Sequence, residues 1–246
     1  MLLVGGVDPG TGAGVLRDLL TAASFGARAH VIGTAWTEQG PRFAIQARDP
    51  EQVRAGLGAA LAQSETAATA VKIGMVATAA ITRAISEGLA PFPGPIVYDP
   101  VLRASSGGQL YDGDRSDVLA LARQVTLLTP NLDEAAWLLE RPVRTRAEAR
   151  DAARALRDLG ATAVLIKGGH LDGEATDILL SAAGETLLAS PRIAGPSPRG
   201  TGCALATAIA VGLAAGAPVE EAVAAAKTWL NRRIAAATAV GHERHL

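Results

Sequence analysis

Short apolar runs rich in Val and Ile alternate along this chain with longer stretches dominated by Ala, Leu and Arg. That alternation restricts the possible folds more than any other feature. The runs fall at residues 2–4, 29–32, 70–73, 96–98, 125–128 and 163–166. Continuously apolar runs of this length suit strands covered on both faces. Between them lie predicted helices at 14–24, 50–63, 78–89, 114–123, 133–139 and 146–159. Strand–helix–strand repetition implies right-handed crossovers and a mainly parallel central sheet between two helical layers, an α/β class. After Lys167, shorter pieces at 176–180 and 186–189 predict an antiparallel edge, and helices at 203–215 and 219–237 close the pattern. The polar tail 241–246 is expected to fray. No linker interrupts the sequence, so residues 1–246 are expected to form one domain.

Composition excludes several classes of protein. Apolar residues make up 49% of the chain and charged residues 19%, enough apolar matter for a large core and too little charge for disorder. A formal net charge of −1 argues against a nucleic-acid partner held by a broad basic surface. Cys203 is the one cysteine, which rules out an intrachain disulfide and a Cys-rich metal site. No apolar run reaches the roughly 18–20 residues that cross a bilayer, and the start MLLVGGVDPG lacks the order of a signal peptide. The expectation is a soluble, cytoplasmic chain with no membrane partner. The basic residues comprise 20 Arg and three Lys (Lys72, Lys167, Lys227), so each lysine raises the question of why a compact ammonium is needed there.

Ligands in open parallel sheets bind beyond the carboxyl ends of the strands, and polar and glycine residues collect at those ends here. The first strand runs into Gly5-Gly6-Val7-Asp8-Pro9-Gly10-Thr11-Gly12-Ala13-Gly14. This loop lacks the third glycine of a dinucleotide fingerprint and the Gly-Lys-Ser/Thr of a Walker loop. It reads either as a tight turn or as a polar-lined binding loop, given Asp8 and Asp18. The second cluster, Arg199-Gly200-Thr201-Gly202-Cys203, precedes an apolar helix, and glycines at a helix start let N–H groups face an anion. In that first turn a thiol is expected to be acidified; the competing reading is a small buried residue. Asn131 and Glu134 stand i, i+3 at a helix start with Asp99 at a neighbouring strand end, oxygen donors suited to Mg²⁺. The same pair also fits a capping box. Lys167, at another strand end, is placed to bridge phosphates. His170 reads as a loop histidine, and His242 and His245 as part of the tail.

Taken in order, these segments resemble the hydroxymethylpyrimidine/phosphomethylpyrimidine kinases of thiamine biosynthesis, in the ribokinase-like superfamily. The matching parts are Asp8-Pro9 with Gly14, Asp18-Leu19, Val71 to Met75, Asp99-Pro100-Val101 and Ser105-Gly107. They continue through Thr129 to Leu132 with Glu134-Ala135, Lys167 to His170, Gly200 to Cys203, and Glu221-Ala222-Val223 with Ala226-Lys227. The resemblance implies a ribokinase-like three-layer sandwich that uses ATP and Mg²⁺ to phosphorylate 4-amino-5-hydroxymethyl-2-methylpyrimidine and then its monophosphate. It also implies a homodimer. By position, Cys203 takes the place of the superfamily's catalytic aspartate, with Gly200, Thr201 and Gly202 presenting N–H groups to the phosphoryl. Lys167, with Arg199 and Asn131, would contact ATP; Asp99, Asn131 and Glu134 would organise Mg²⁺ and its waters. Asp18, Gln39, Met75 and Val101 line up with the pyrimidine pocket. The chain departs from the family at its flap, Glu38-Gln39-Gly40-Pro41, at Arg199 in place of a histidine, and at Ala204 and Ala206 in place of hydroxyl residues. The flap is the main support for a second reading, a pyridoxal kinase; a third, a non-catalytic pyrimidine-binding relative, has the presence of Lys167, Asp99, Glu134 and Cys203 against it.

Overall fold

The computed structural model describes residues 1–39, 43–62, 69–104, 107–169, 175–193, 195, 198–240 and 243–246. The sequence readings at Gly40, Pro41, Ser105, His170 and His242 lie outside these, as do the side chains of Gln39 and His245.

Nine strands form one sheet in the order β3-β2-β1-β4-β5-β6-β7-β8-β9. Its parallel body consists of β2 (His30–Gln39), β1 (Leu2–Val7), β4 (Val71–Ile73), β5 (Ile96–Tyr98), β6 (Leu127–Leu128) and β7 (Val164–Ile166). β3 (Phe43–Ala47) lies antiparallel on one edge, and β8 (Ala175–Ser181) with β9 (Gly184–Ser190) form an antiparallel pair on the other. The short central strands are fully buried, which is why β5 and β7 read as unbroken apolar runs; β4 is interrupted only by Lys72.

Two helical layers cover the sheet. One core packs residues of α2 (Pro50–Leu61), α3 (Ala79–Leu89), α4 (Arg115–Ala122), α5 (Leu132–Leu139) and α6 (Arg146–Asp158) against Val4, Ile73 and Tyr98. The opposite core sets α7 (Thr201–Ala214) and α8 (Val219–Ala236) against Val97, Leu127 and Leu165. α1 (Gly14–Ser24) lies beside α7. Side-chain caps fix several helix starts: Asp49 accepts from Glu51 N–H, Thr78 from Ile81 N–H, and Thr145 and Glu148 form a capping box. Each such cap contributes about 1 kcal/mol.

Three expectations need correction. The second strand does not end near residue 32; β2 runs to Gln39. Buried Thr34 donates to the Met75 carbonyl at 2.7 Å and buried Thr37 to the Val7 carbonyl at 3.2 Å, so buried hydroxyls rather than an apolar run carry it onward. β3 was not expected at all: most of its residues are exposed, so no apolar run marks it. The described residues of the tail are paired rather than frayed. β10 (Thr238–Val240) pairs with β11 (Glu243–His245) as an antiparallel hairpin, and Leu246 packs against the α7–α8 core.

Candidate active site

β1 has β2 on one side and β4 on the other, so the connections reverse direction there and a crevice opens beyond the carboxyl ends of β1 and β4. A recess with about 380 Å³ of free space, its mouth included, occupies this point. Its lining includes Gly6, Asp18, Met75, Val101, Leu110 and Cys203. Asp8 organises the loop above it: one carboxylate oxygen accepts Gly10 N–H at 3.1 Å, and the other accepts Ala13 N–H at 3.2 Å. The Arg199 guanidinium donates to that second oxygen at 3.2 Å, tying the two glycine loops together.

The α7 helix begins at Gly200, which holds φ +74, and a Cβ there would collide with the Gly12 carbonyl oxygen. Only glycine satisfies both conditions. No side chain caps this helix start, so its first N–H groups face the loop as anion donors. Cys203 sits in that first turn, 8% exposed. The expected acidification is reversed. Burial pushes the thiol up to about 11; Lys72 and the Gly14 N–H pull it down, and the carboxylates of Asp18 and Asp99 add to the rise. Desolvation dominates, with the Lys72 ammonium as the largest opposing influence.

A few ångströms away, Lys167 pairs with Asp99 and stands 3.7 Å from Glu134. Burial works against its ammonium, but the two carboxylates outweigh it and hold the pKa above the ordinary value. Glu134 is pushed up to about 7 by burial, with Lys167 opposing. A Cβ added to Gly202 would stand 3.3 Å from Lys167 Nζ and 3.6 Å from Asp99 Oδ2, so this cluster abuts the α7 start. Asn131 and Glu134 do form the capping box: Glu134 accepts from Asn131 N–H at 2.7 Å, and Asn131 Oδ1 accepts from Glu134 N–H at 2.8 Å. Glu134→Gln separates the cap from the chemistry, because the amide oxygen can still accept from Asn131 N–H. The expected outcome is a melting temperature within about 3 °C of the parent and turnover lowered about tenfold or more. Differential scanning fluorimetry beside steady-state kinetics measures both; full turnover would leave Glu134 a cap alone.

All three lysines turn out to be counter-ions of buried aspartates. Lys72 meets Asp18 at 2.7 Å, Lys167 meets Asp99, and Lys227 meets Asp177, whose other oxygen accepts Gly168 N–H at 2.9 Å. Of the residues singled out in the sequence, Cys203, Gly200, Thr201, Gly202, Lys167, Asp99, Glu134 and Asn131 gather around the α7 start and the neighbouring strand ends. Met75 and Val101 line the recess. Asp18 also borders it, but its side chain is fully buried and both oxygens are engaged, by Lys72 and by Thr207 at 2.9 Å. Thr37 and Leu110 line the recess without having been singled out. Thr37 lies in the part of β2 beyond the expected strand end, and no local pattern marked Leu110.

Nothing in this arrangement requires a covalent intermediate. An anion-seeking helix end, a lysine and a sulfur beside a small recess suit phosphoryl transfer between two small molecules, the chemistry of the ribokinase-like class of α/β kinases. The family model described as phosphomethylpyrimidine kinase matches residues 8–246, and the chain belongs to that family. It is 42% identical over 246 residues to the hydroxymethylpyrimidine/phosphomethylpyrimidine kinase of Rhizobium meliloti, covering 96% of this chain and 90% of that one. Among solved structures, the phosphomethylpyrimidine kinase of Clostridium difficile is similar with a TM-score of 0.81 and 29% identity, covering 95% of this chain and 98% of that one. The pyridoxal kinase of Bacillus subtilis, solved with ADP, gives a TM-score of 0.87 at 27% identity, covering 99% of this chain and 96% of that one. Among the described residues, no helix is long and apolar enough to cross a membrane.

Proposed function

We propose that this chain transfers the γ-phosphoryl group of ATP to the hydroxyl of 4-amino-5-hydroxymethyl-2-methylpyrimidine, and then phosphorylates the monophosphate to the diphosphate, in thiamine biosynthesis. The observation that carries the reading is the juxtaposition of the uncapped α7 start, Cys203 and Lys167 with a recess bordered by Met75, Val101 and Leu110. The Cys203 thiolate takes the hydroxyl proton as the oxygen attacks the γ-phosphorus. The bond to the ADP oxygen breaks, and the sulfur later returns its proton to solvent. The N–H groups of the α7 start receive the charge on the transferring phosphoryl, and Lys167 meets the ATP phosphates. Arg199, joined to Asp8, borders the same anion site.

Among the described residues, no three or more His, Cys, Asp or Glu side chains gather into a metal cage. Two carboxylates, Asp99 and Glu134, against the single Lys167 ammonium nevertheless suit a Mg²⁺ that keeps waters and phosphate oxygens as ligands. When bound, such an ion neutralises phosphate charge. The reading extends, on the family resemblance, to a cytoplasmic homodimer.

Gln39, at the end of β2, offers an amide for the ring nitrogen and amino group. Gln39→Ala is expected to raise the pyrimidine KM by about tenfold with the ATP KM little changed. Equal rises in both would move the pocket elsewhere. A second reading, pyridoxal phosphorylation, draws on the TM-score of 0.87 with a pyridoxal kinase. ATP consumption with hydroxymethylpyrimidine and with pyridoxal in parallel, products resolved by mass, decides between them. Pyrimidine mono- and diphosphate are the expected products. Monophosphate alone would remove the second step, phosphorylation of pyridoxal alone would establish the other reading, and no turnover of either would leave a binding protein.

A further inference from the structure

Lys72 stands where the fold calls for an apolar side chain. In register it lies between Leu3 of β1 and Val97 of β5, and Val97 pairs onward with Leu127 of β6. All four residues are fully buried, and Lys72 is the one charge in the row. Val71 and Ile73 point into the α2–α6 core, so Lys72 points to the opposite face, toward α1 and α7. These two helices meet there in two layers. The first pairs Gly14 with Cys203, the Gly14 N–H directed at the sulfur. Four residues further along each helix, Thr207 donates to Asp18 at 2.9 Å, and Lys72 completes this second layer at 2.7 Å from Asp18.

An ion pair buried this deeply is a poor stabiliser, since desolvating both charges offsets their attraction. Its position suggests another use. The charged groups acting on the Cys203 sulfur are Asp18 and Arg17 from α1, Lys72 from β4, Asp99 after β5 and Lys167 after β7, and Lys72 is the strongest of the charges on it. We infer that Lys72 is a positioning residue for Cys203, its ammonium oriented by Asp18 and Thr207 so that positive charge stands behind the sulfur when it receives the substrate's hydroxyl proton. The inference rests on the proposed role of Cys203 as that acceptor.

The test is alkylation by iodoacetamide across pH 7 to 11, followed by mass spectrometry. Cys203 is the one cysteine in the chain, so a single adduct reports a single site. Lys72→Met removes the charge, and Lys72→Met/Asp18→Leu removes both partners, which keeps the chain folded where the single change fails. In folded Lys72→Met the alkylation profile is expected to move up by about one pH unit or more, an effect of charge that altered access does not produce. The double variant also loses the opposing Asp18 carboxylate, so it is read against Asp18→Leu, from which it differs by the Lys72 charge alone and above which it should lie by a similar amount. In Lys72→Met turnover should fall about tenfold or more while the pyrimidine KM stays within about twofold. A Lys72→Met profile that matches the parent, or a double-variant profile that matches Asp18→Leu, overturns the inference. Turnover that survives Cys203→Ala overturns the underlying role of Cys203 instead, and the alkylation result is independent of it.

Discussion

Cys203→Ala is expected to lower kcat by about 10²–10⁴-fold, the usual contribution of a positioned base, with substrate KM values little changed. The fold should barely register the loss. Cys203 is 8% exposed and is followed in α7 by Ala204 and Ala206, both fully buried, so the site is already built for small side chains. A cost of about 1 kcal/mol corresponds to about 2–4 °C in melting temperature at this chain length. The thiol does not begin as a strong base in waiting: burial lifts it to about 11, so the thiolate is a minor species near neutral pH. The rate should therefore rise with pH through the neutral range, as the thiolate fraction grows about tenfold per unit below its pKa. Steady-state kinetics from pH 6 to 9 with the parent and Cys203→Ala measures the effect. Near-parental turnover in the alanine variant would take Cys203 out of the chemistry.

Legibility of the fold followed burial. β5 and β7 are buried on both faces and announce themselves as apolar triplets, and β4 is buried likewise with only Lys72 interrupting it, whereas β3 is mostly exposed and carries no such mark. Site residues at strand ends were equally readable, because Asp99, Asn131 and Lys167 interrupt apolar surroundings. The pairing of these groups could not be read. Asp18 and Lys72 are 54 positions apart, and only the packing of α1 against β4 brings them to 2.7 Å. The same limit explains the thiol: its helix-start position was visible, but the desolvation that reverses its shift belongs to tertiary packing.

Lys167→Met is expected to impair both stability and chemistry, and Mg²⁺ should separate the two. Without the ammonium, Asp99 and Glu134 remain buried and lose the one ion-pair partner they share among the described residues. Breaking one partner out of a buried ion pair costs about 3–5 kcal/mol, or roughly 6–20 °C in melting temperature at this size. A divalent cation would supply the missing charge. Added Mg²⁺ should therefore raise the melting temperature of the variant by more than that of the parent, while leaving kcat/KM for ATP low. That deficit is expected at about 10²–10³-fold, the scale for losing one donor to a charged transition state. Scanning fluorimetry over a Mg²⁺ series beside ATP kinetics reads both. Lys167→Arg should recover most of the stability, since its guanidinium still faces the carboxylates, but less of the turnover, because a planar fork does not reproduce a point charge. If Lys167→Met turned over ATP like the parent once Mg²⁺ had restored its fold, Lys167 would be a structural counter-ion, and the phosphate contacts would fall to the α7 start alone.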